Sequence, residues 1–166
     1  MQLDLEYKNI ILAELSSIDG LTKISNHRTL LERLEFEIAE ANRTNKPLSL
    51  AMFDIDDFKK VNDSKGHIFG DKVLVDIASI IQGNIRETDL AGRYGGEEFA
   101  VIFSNTNISV ASKIAERVRQ SIAEFSFNDE LSVTISGGIK QYSGEDAYAF
   151  IQAADVNLYE AKRQGK

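Results

Sequence analysis

Two acidic pairs carry side chains suited to one kind of chemistry. Asp54 and Asp56 close a short apolar run, and Glu97 and Glu98 follow a glycine pair in Arg93-Tyr94-Gly95-Gly96-Glu97-Glu98-Phe99. Brought together, these carboxylates repel one another and require a cation. The chain has no cysteine and two histidines, so that cation is a hard, oxygen-bound ion such as magnesium or manganese. Gly95 and Gly96 lack side chains, which lets a bulky phosphate approach the backbone and also suits a hairpin turn. A metal beside an open turn fits a nucleoside triphosphate. Singly, each feature has a plainer explanation: glycine pairs make turns, and acids beside them keep strand edges soluble. Asp54-Ile55-Asp56-Asp57 does not read as a calcium loop, because Phe58 and Lys59 stand where a ligand and the obligatory glycine belong.

The pattern between the acids says how they meet. Leu30, Leu34, Ile38 and Ala41 recur at helical spacing behind Ser25 or Asn26, predicting a helix over roughly residues 26 to 43. A polar loop with the only proline, Pro47, leads into the apolar strand Leu48 to Asp56. Val73, Leu74, Ile77, Ile80 and Ile81 predict a helix from about Gly70 to Arg86, and two strands follow at Asp89 to Tyr94 and Glu98 to Phe103. Val110, Ile114, Val118 and Ile122 mark another helix, Leu131 to Ile139 a strand, and Ala147, Phe150, Ile151, Ala154 and Leu158 a last helix. The fold class is α+β, an α/β sandwich with a ferredoxin-like βαββαβ core and extra N-terminal and C-terminal helices. An antiparallel sheet with helices on one face is expected. The helical crossover makes the first two strands parallel, so the Gly95-Gly96 turn lies at the edge where the first strand ends. Asp54 and Asp56 then converge with Glu97 and Glu98.

At 166 residues the chain is sized for one domain. Residues 18–166 form it, and residues 1–17, with Leu5, Ile10, Ile11, Leu12, Leu15 and Ile18, read as an N-terminal helix or linker. That helix either packs on its own domain or joins a coiled coil, although its apolar positions sustain no heptad. A net charge of -7 works against a nucleic-acid surface, while small phosphate ligands remain compatible through a few local cations or a metal. No run is long and apolar enough for a membrane span, and no secretory pattern opens the chain. The absence of cysteine is compatible with a cytoplasmic setting.

At these residues the chain strongly resembles the GGDEF family of diguanylate cyclases, with the motif in the variant form Gly95-Gly96-Glu97-Glu98-Phe99. Asp19-Gly20-Leu21-Thr22, Asn26-His27-Arg28, the run from Phe53 to Asp63, Gly66-His67, Gly70-Asp71, Ala154-Asp155 and Leu158 to Lys162 carry the same resemblance across residues 18 to 166. It implies the fold of nucleotidyl cyclase and palm domains, and an enzyme that joins two GTP into cyclic di-GMP, releasing pyrophosphate by two-metal phosphoryl transfer. A homodimer is implied, since each domain holds one GTP. Two magnesium or manganese ions per half-site would be bound by Asp54, Glu97 and the Ile55 carbonyl. Glu97 would be the base, with Glu98 assisting.

The resemblance further assigns guanine recognition to Asn62 and Asp71, triphosphate contacts to Phe58, Lys59, Lys162 and Lys166, and an open wall to Gly95 and Gly96. Alone, Asn62 would read as a turn residue, Asp71 as a helix cap and the lysines as solvated surface. Arg86 and Asp89 match the family's inhibitory product site, with Arg117 a second contact. Lys23, His27 and Lys166 depart from the usual glycine, arginine and arginine. A lysine at 23 pays strain if its φ is positive. His27 and His67 are read as structural. Two rivals remain: a silent module that binds GTP or cyclic di-GMP, disfavoured by the intact acids, and a mononucleotide cyclase or polymerase-like enzyme, disfavoured by Asn62, Asp71 and the inhibitory motif.

Overall fold

The computed structural model describes residues 2–127 and 131–165. Its elements run α1 (Gln2–Leu15), α2 (His27–Thr44), β1 (Ser49–Ile55), α3 (Phe58–Lys65), α4 (His67–Asn84), β2 (Leu90–Arg93), β3 (Glu98–Phe103), α5 (Ile108–Glu124), β4 (Ile135–Gln141) and α6 (Ala147–Arg163). The strands make one sheet in the order β2-β3-β1-β4, with every neighbouring pair antiparallel. Both β1 and β2 oppose β3, so they point the same way, as the crossover requires.

Alternation along the central strands splits the core. Ala51, Phe53 and Ile55 of β1 join Phe99, Val101 and Phe103 of β3 against Val73, Ile77 and Ile81 of α4 and Ile114, Val118 and Ile122 of α5. Leu50, Met52, Ala100 and Ile102 face the other way, toward Leu30 and Leu34 of α2 and Phe150, Ala154 and Leu158 of α6. The expectation of helices on one face is corrected here. A sheet apolar on both sides must cover both, and the two helices outside the βαββαβ core cover the second. Helix α6 comes nearest: a Cβ on Gly138 would lie 2.1 Å from Leu158 N and 2.2 Å from Ala154 O, so strand and helix meet backbone to backbone.

Local chemistry explains most boundaries. Asn26 caps α2, its side chain accepting from Thr29 N at 2.9 Å. The helix expected from Gly70 starts instead at His67, and an unpredicted helix, α3, precedes it. Only Val61 of α3 is buried, so no apolar stripe marks it in the sequence. Val110 is exposed, and Ala111 and Ala115 fill the inner face of α5 in its place. The last strand begins at Ile135, not Leu131.

Helix α1 presents Leu5, Tyr7, Ile10 and Leu12 to solvent rather than packing them on the domain. Among the described residues no helix is long and apolar enough to cross a membrane. The end of α1 is nonetheless tied down, because Arg28 Nη2 and Asn26 Nδ2 donate to the Ser16 carbonyl at 2.7 and 2.9 Å. The following segment runs along the sheet edge, where Ser25 N donates to Ala91 O and Arg93 N to Ser25 O. Inside its turn Lys23 holds φ at +66°, a left-handed conformation that costs a residue with a Cβ roughly 1–2 kcal/mol. Lys23→Gly should raise the urea midpoint at unchanged slope, with a gain of about 0.5–1 kcal/mol after glycine's greater unfolded-state freedom is subtracted.

Candidate active site

Register assembles the acids. Asp54 pairs directly with Glu98 across β1 and β3, on the face shared by Leu50, Met52, Ala100 and Ile102. That face is roofed by α6, which brings Lys162 Nζ to 3.6 Å from Asp54 Oδ2 and 3.2 Å from Asp56 Oδ1. Asp155, two turns earlier on α6, adds its negative charge to Asp54 and Glu98. The expected foursome is thus altered. Asp54, Glu97 and Glu98 interact with one another, whereas Asp56 turns aside to accept from Thr134 Oγ1 at 2.8 Å and Ser136 Oγ at 2.7 Å. Asp56 still adds its charge to Asp54, and Asp155 joins the cluster from α6. The signal for this was available, since a seven-residue interval sets Asp155 and Lys162 on one side of a helix.

The turn between β2 and β3 is held from outside. Arg93 donates through Nε and Nη2 to Gly96 O at 3.2 and 2.8 Å, and its Nη1 pairs with Asp19 Oδ2 at 3.3 Å. Asp19 in turn accepts from Thr22 N and Oγ1, and these bonds together with Arg93 hold its carboxyl below the usual range against the opposing effect of burial. His27 Nδ1 donates to Tyr94 O at 2.6 Å, and its ring centroid lies 4.7 Å from that of Tyr94 with the planes tilted by 39°. The glycines act differently from the turn argument. Neither Gly95 nor Gly96 has a left-handed φ. A Cβ on Gly95 would stand 2.9 Å from Glu98 Oε1, so that glycine makes room for the acid itself, and Gly96 faces open space.

A groove of about 350 Å³ joins Phe58, Asp71, Leu74, Arg93, Gly96, Glu97 and Glu98. It unites residues from α3, α4 and the turn that the sequence placed far apart. Asn62 does not line it but lies near Phe58 on α3: a Cβ on Gly70 would fall 1.8 Å from Asn62 Oδ1 and 3.4 Å from Phe58 Cζ, so Gly70 yields space to both. Asn62 is helical rather than a turn residue, and Asp71 lies inside α4 rather than capping it. Lys59 is exposed at the start of α3. The Ile55 amide donates to Glu97 O at 3.3 Å, locking the end of β1 to the turn. Lys166 lies outside the described residues.

Burial and mutual repulsion act on the three acids together. Burial, opposed by Lys162 and reinforced by Asp56 and Asp155, pushes the Asp54 carboxyl up. Burial followed by Asp54 raises Glu97, and burial followed by Asp54, Asp155 and Glu97 raises Glu98. Asp54 Oδ1 is buried without a hydrogen-bond partner. An acceptor left dry and unsatisfied among like charges is suited to a hard cation, so the donor set fits magnesium or manganese. Among the described residues no group of three or more potential ligands is set to hold a metal as it stands.

At the far end of α4, Arg86 is folded onto Asp89 at 3.1 Å and donates to Thr106 Oγ1, while the Asp89 side chain is fully enclosed. Arg117 of α5 donates to the Asn84 carbonyl, so both arginines share one corner, away from the groove.

The raised carboxyls predict a cost of keeping the site. A carboxyl whose folded pKa exceeds its unfolded value destabilises the fold as pH rises from the unfolded pKa through the folded one. Glu98→Gln should therefore raise the melting temperature of the ligand-free domain at neutral pH. The gain should vanish below roughly pH 4, where glutamate is protonated in both states; a loss of stability at neutral pH would contradict this account.

Comparison with known proteins agrees with this geometry. The family described as diguanylate cyclase, GGDEF domain matches residues 16–166. Diguanylate cyclase DgcP of Pseudomonas aeruginosa is 42% identical over 152 residues, covering 89% of this chain and 23% of DgcP. The GGDEF domain of DgcB from Caulobacter crescentus, solved in complex with c-di-GMP, superposes with a TM-score of 0.87 at 34% identity, covering 91% of this chain and 92% of that one. The active GGEEF domain of a diguanylate cyclase from Vibrio cholerae gives a TM-score of 0.82 at 36% identity, covering 84% of this chain and 92% of that one. The chain spans less than half the length of the curated relatives it matches. Covered almost end to end by that family's model and superposing closely on solved GGDEF domains, the chain belongs to the GGDEF family of diguanylate cyclase domains.

Proposed function

We propose that this domain is a diguanylate cyclase that condenses two GTP into cyclic di-GMP. The observation that carries the reading is the groove in which Phe58 and Asp71 meet Glu97 and Glu98, beside the unsatisfied Asp54 Oδ1. In each half-reaction the 3′-hydroxyl of one GTP attacks the α-phosphorus of the other. The new O3′–P bond forms as the bond to the β-phosphate breaks, pyrophosphate leaves with the electron pair, and the hydroxyl proton passes to Glu97. Burial and Asp54 make Glu97 a better proton acceptor than an exposed glutamate. Two magnesium or manganese ions held by Asp54, Glu97 and the Ile55 carbonyl would acidify the attacking hydroxyl and neutralise phosphate charge.

The chain's own residues do the rest. Asp71 and Asn62 read guanine, since an ionised carboxylate accepts the N1 and N2 protons that adenine lacks. Lys59, Lys162 and Lys166 meet the triphosphate, and Phe58 walls it. One groove takes one GTP, so two copies must face each other for the ring to close. A cytoplasmic setting, where GTP is available, suits this chemistry.

Incubating the domain at high concentration with GTP and magnesium should yield cyclic di-GMP, identified by chromatography and mass. Glu97→Ala should lower the rate by at least about 10²-fold. GTP binding and dimers without product from the unaltered chain would turn the reading into a silent regulatory module.

The corner of Arg86, Asp89 and Arg117 is proposed as a product-inhibition site. Arg86 would exchange Asp89 and Thr106 for a guanine edge and phosphate of cyclic di-GMP, joined by Arg117. Arg86→Ala should leave the initial rate near its starting value while progress curves lose their early plateau. An unchanged plateau would remove this assignment.

A further inference from the structure

We infer that Asp56 is a positioning residue that holds the Lys162 ammonium beside Asp54; this rests on the reading of Lys162 as a triphosphate contact. Asp56 sits two residues from the acid cluster, yet its oxygens are already committed. Oδ1 accepts from Ser136 Oγ at 2.7 Å and from Lys162 Nζ at 3.2 Å, and Oδ2 accepts from Thr134 Oγ1 at 2.8 Å. Its amide donates to Thr134 O at 2.9 Å, so main chain and side chain are fixed together beside the start of β4. Only 3% of the side chain is exposed.

A carboxylate this enclosed is expensive unless each lone pair is used, and an apolar residue of similar size would cost the fold less. What the charge supplies is direction. Lysine's long stem lets its ammonium sweep a wide volume, and here 75% of that stem and head is covered while the nitrogen is drawn to one point. The two acids near Lys162 then have different tasks. Asp54 lies at 3.6 Å and carries the unsatisfied Oδ1, so it is the partner that a cation would take over. Asp56, with no unsatisfied oxygen, keeps its hold on Lys162 throughout, leaving the ammonium's other N–H directions for phosphate oxygens. The tie spans 106 residues of sequence, joining α6 to the end of β1.

A double-mutant cycle with Asp56→Asn and Lys162→Ala in the full chain separates positioning from general support. The probe is 3′-deoxy-GTP with magnesium, which lacks the attacking hydroxyl, measured by calorimetry. Each single variant should weaken binding by about tenfold, and the double variant should be no weaker than Lys162→Ala by more than about twofold, because coupled residues are non-additive. With GTP as substrate, Asp56→Asn should raise KM about tenfold and change kcat by less than about threefold, the pattern of lost uniform binding. Additive losses, near a hundredfold in the double variant, would overturn the inference while leaving the cyclase reading intact. Absent binding to the unaltered chain would overturn both. A readout without nucleotide is the ¹⁵N ammonium resonance of Lys162, assigned by its loss in Lys162→Ala. It should broaden or shift in Asp56→Asn, and an unchanged signal would overturn the inference. Should Asp56→Asn fail to fold, Thr134→Val, which frees one oxygen of Asp56, should show the same coupling to Lys162 at smaller size.

Discussion

Everything at this site depends on one cross-strand pair of like charge. The β1–β3 register sets Asp54 opposite Glu98, where two carboxylates are least comfortable, and closes a helix over them. Burial raises both, Asp155 adds to the repulsion, and Lys162 reaches back from the last helix to relieve it. The site is thus held in electrostatic debt by the packing around it. In the cyclase reading proposed above, a hard cation and the phosphates it accompanies would relieve that repulsion.

Around this pair the fold is a set of supports arriving from distant segments. Asp19 steadies Arg93, and Arg93 steadies the Gly96 carbonyl. His27 fixes the Tyr94 carbonyl. Asn26 and Arg28, beside His27, grip the Ser16 carbonyl at the end of α1. The N-terminal segment and the Gly95-Gly96 turn are therefore linked through the short stretch Asn26-His27-Arg28.

Much of this was legible in the amino-acid order. Apolar periods of 3.6 and 2 gave α2, α4, α5, α6 and the strands, and their sequence gave the crossover that carries Asp54 to the turn. What escaped had physical reasons. Helix α3 buries one residue, so it has no stripe to read. The second helical layer escaped because strands apolar on both sides resemble strands apolar on one when read as short runs, and with it went the route by which Asp155 and Lys162 arrive. Asp56 was grouped with Asp54 because spacing cannot show that Thr134 and Ser136 claim its oxygens first. Lys23, by contrast, was readable through the resemblance, which puts glycine there, as a residue strained if its φ is positive, and that φ is +66°.

Gly138 has a mechanical side. Where its missing side chain lets α6 touch β4, the helix rests on a fulcrum near Ala154 and Leu158. Measured from the middle of that contact, Lys162 stands about 9 Å along the axis, while Tyr148, exposed near the other end, is about 12 Å away on the opposite arm. A tilt of α6 about this point therefore moves the ammonium somewhat less than the tyrosine. The lysine end of this lever is the short arm, suited to fine adjustment, and the tyrosine end is the long one, where a small push has the greater leverage.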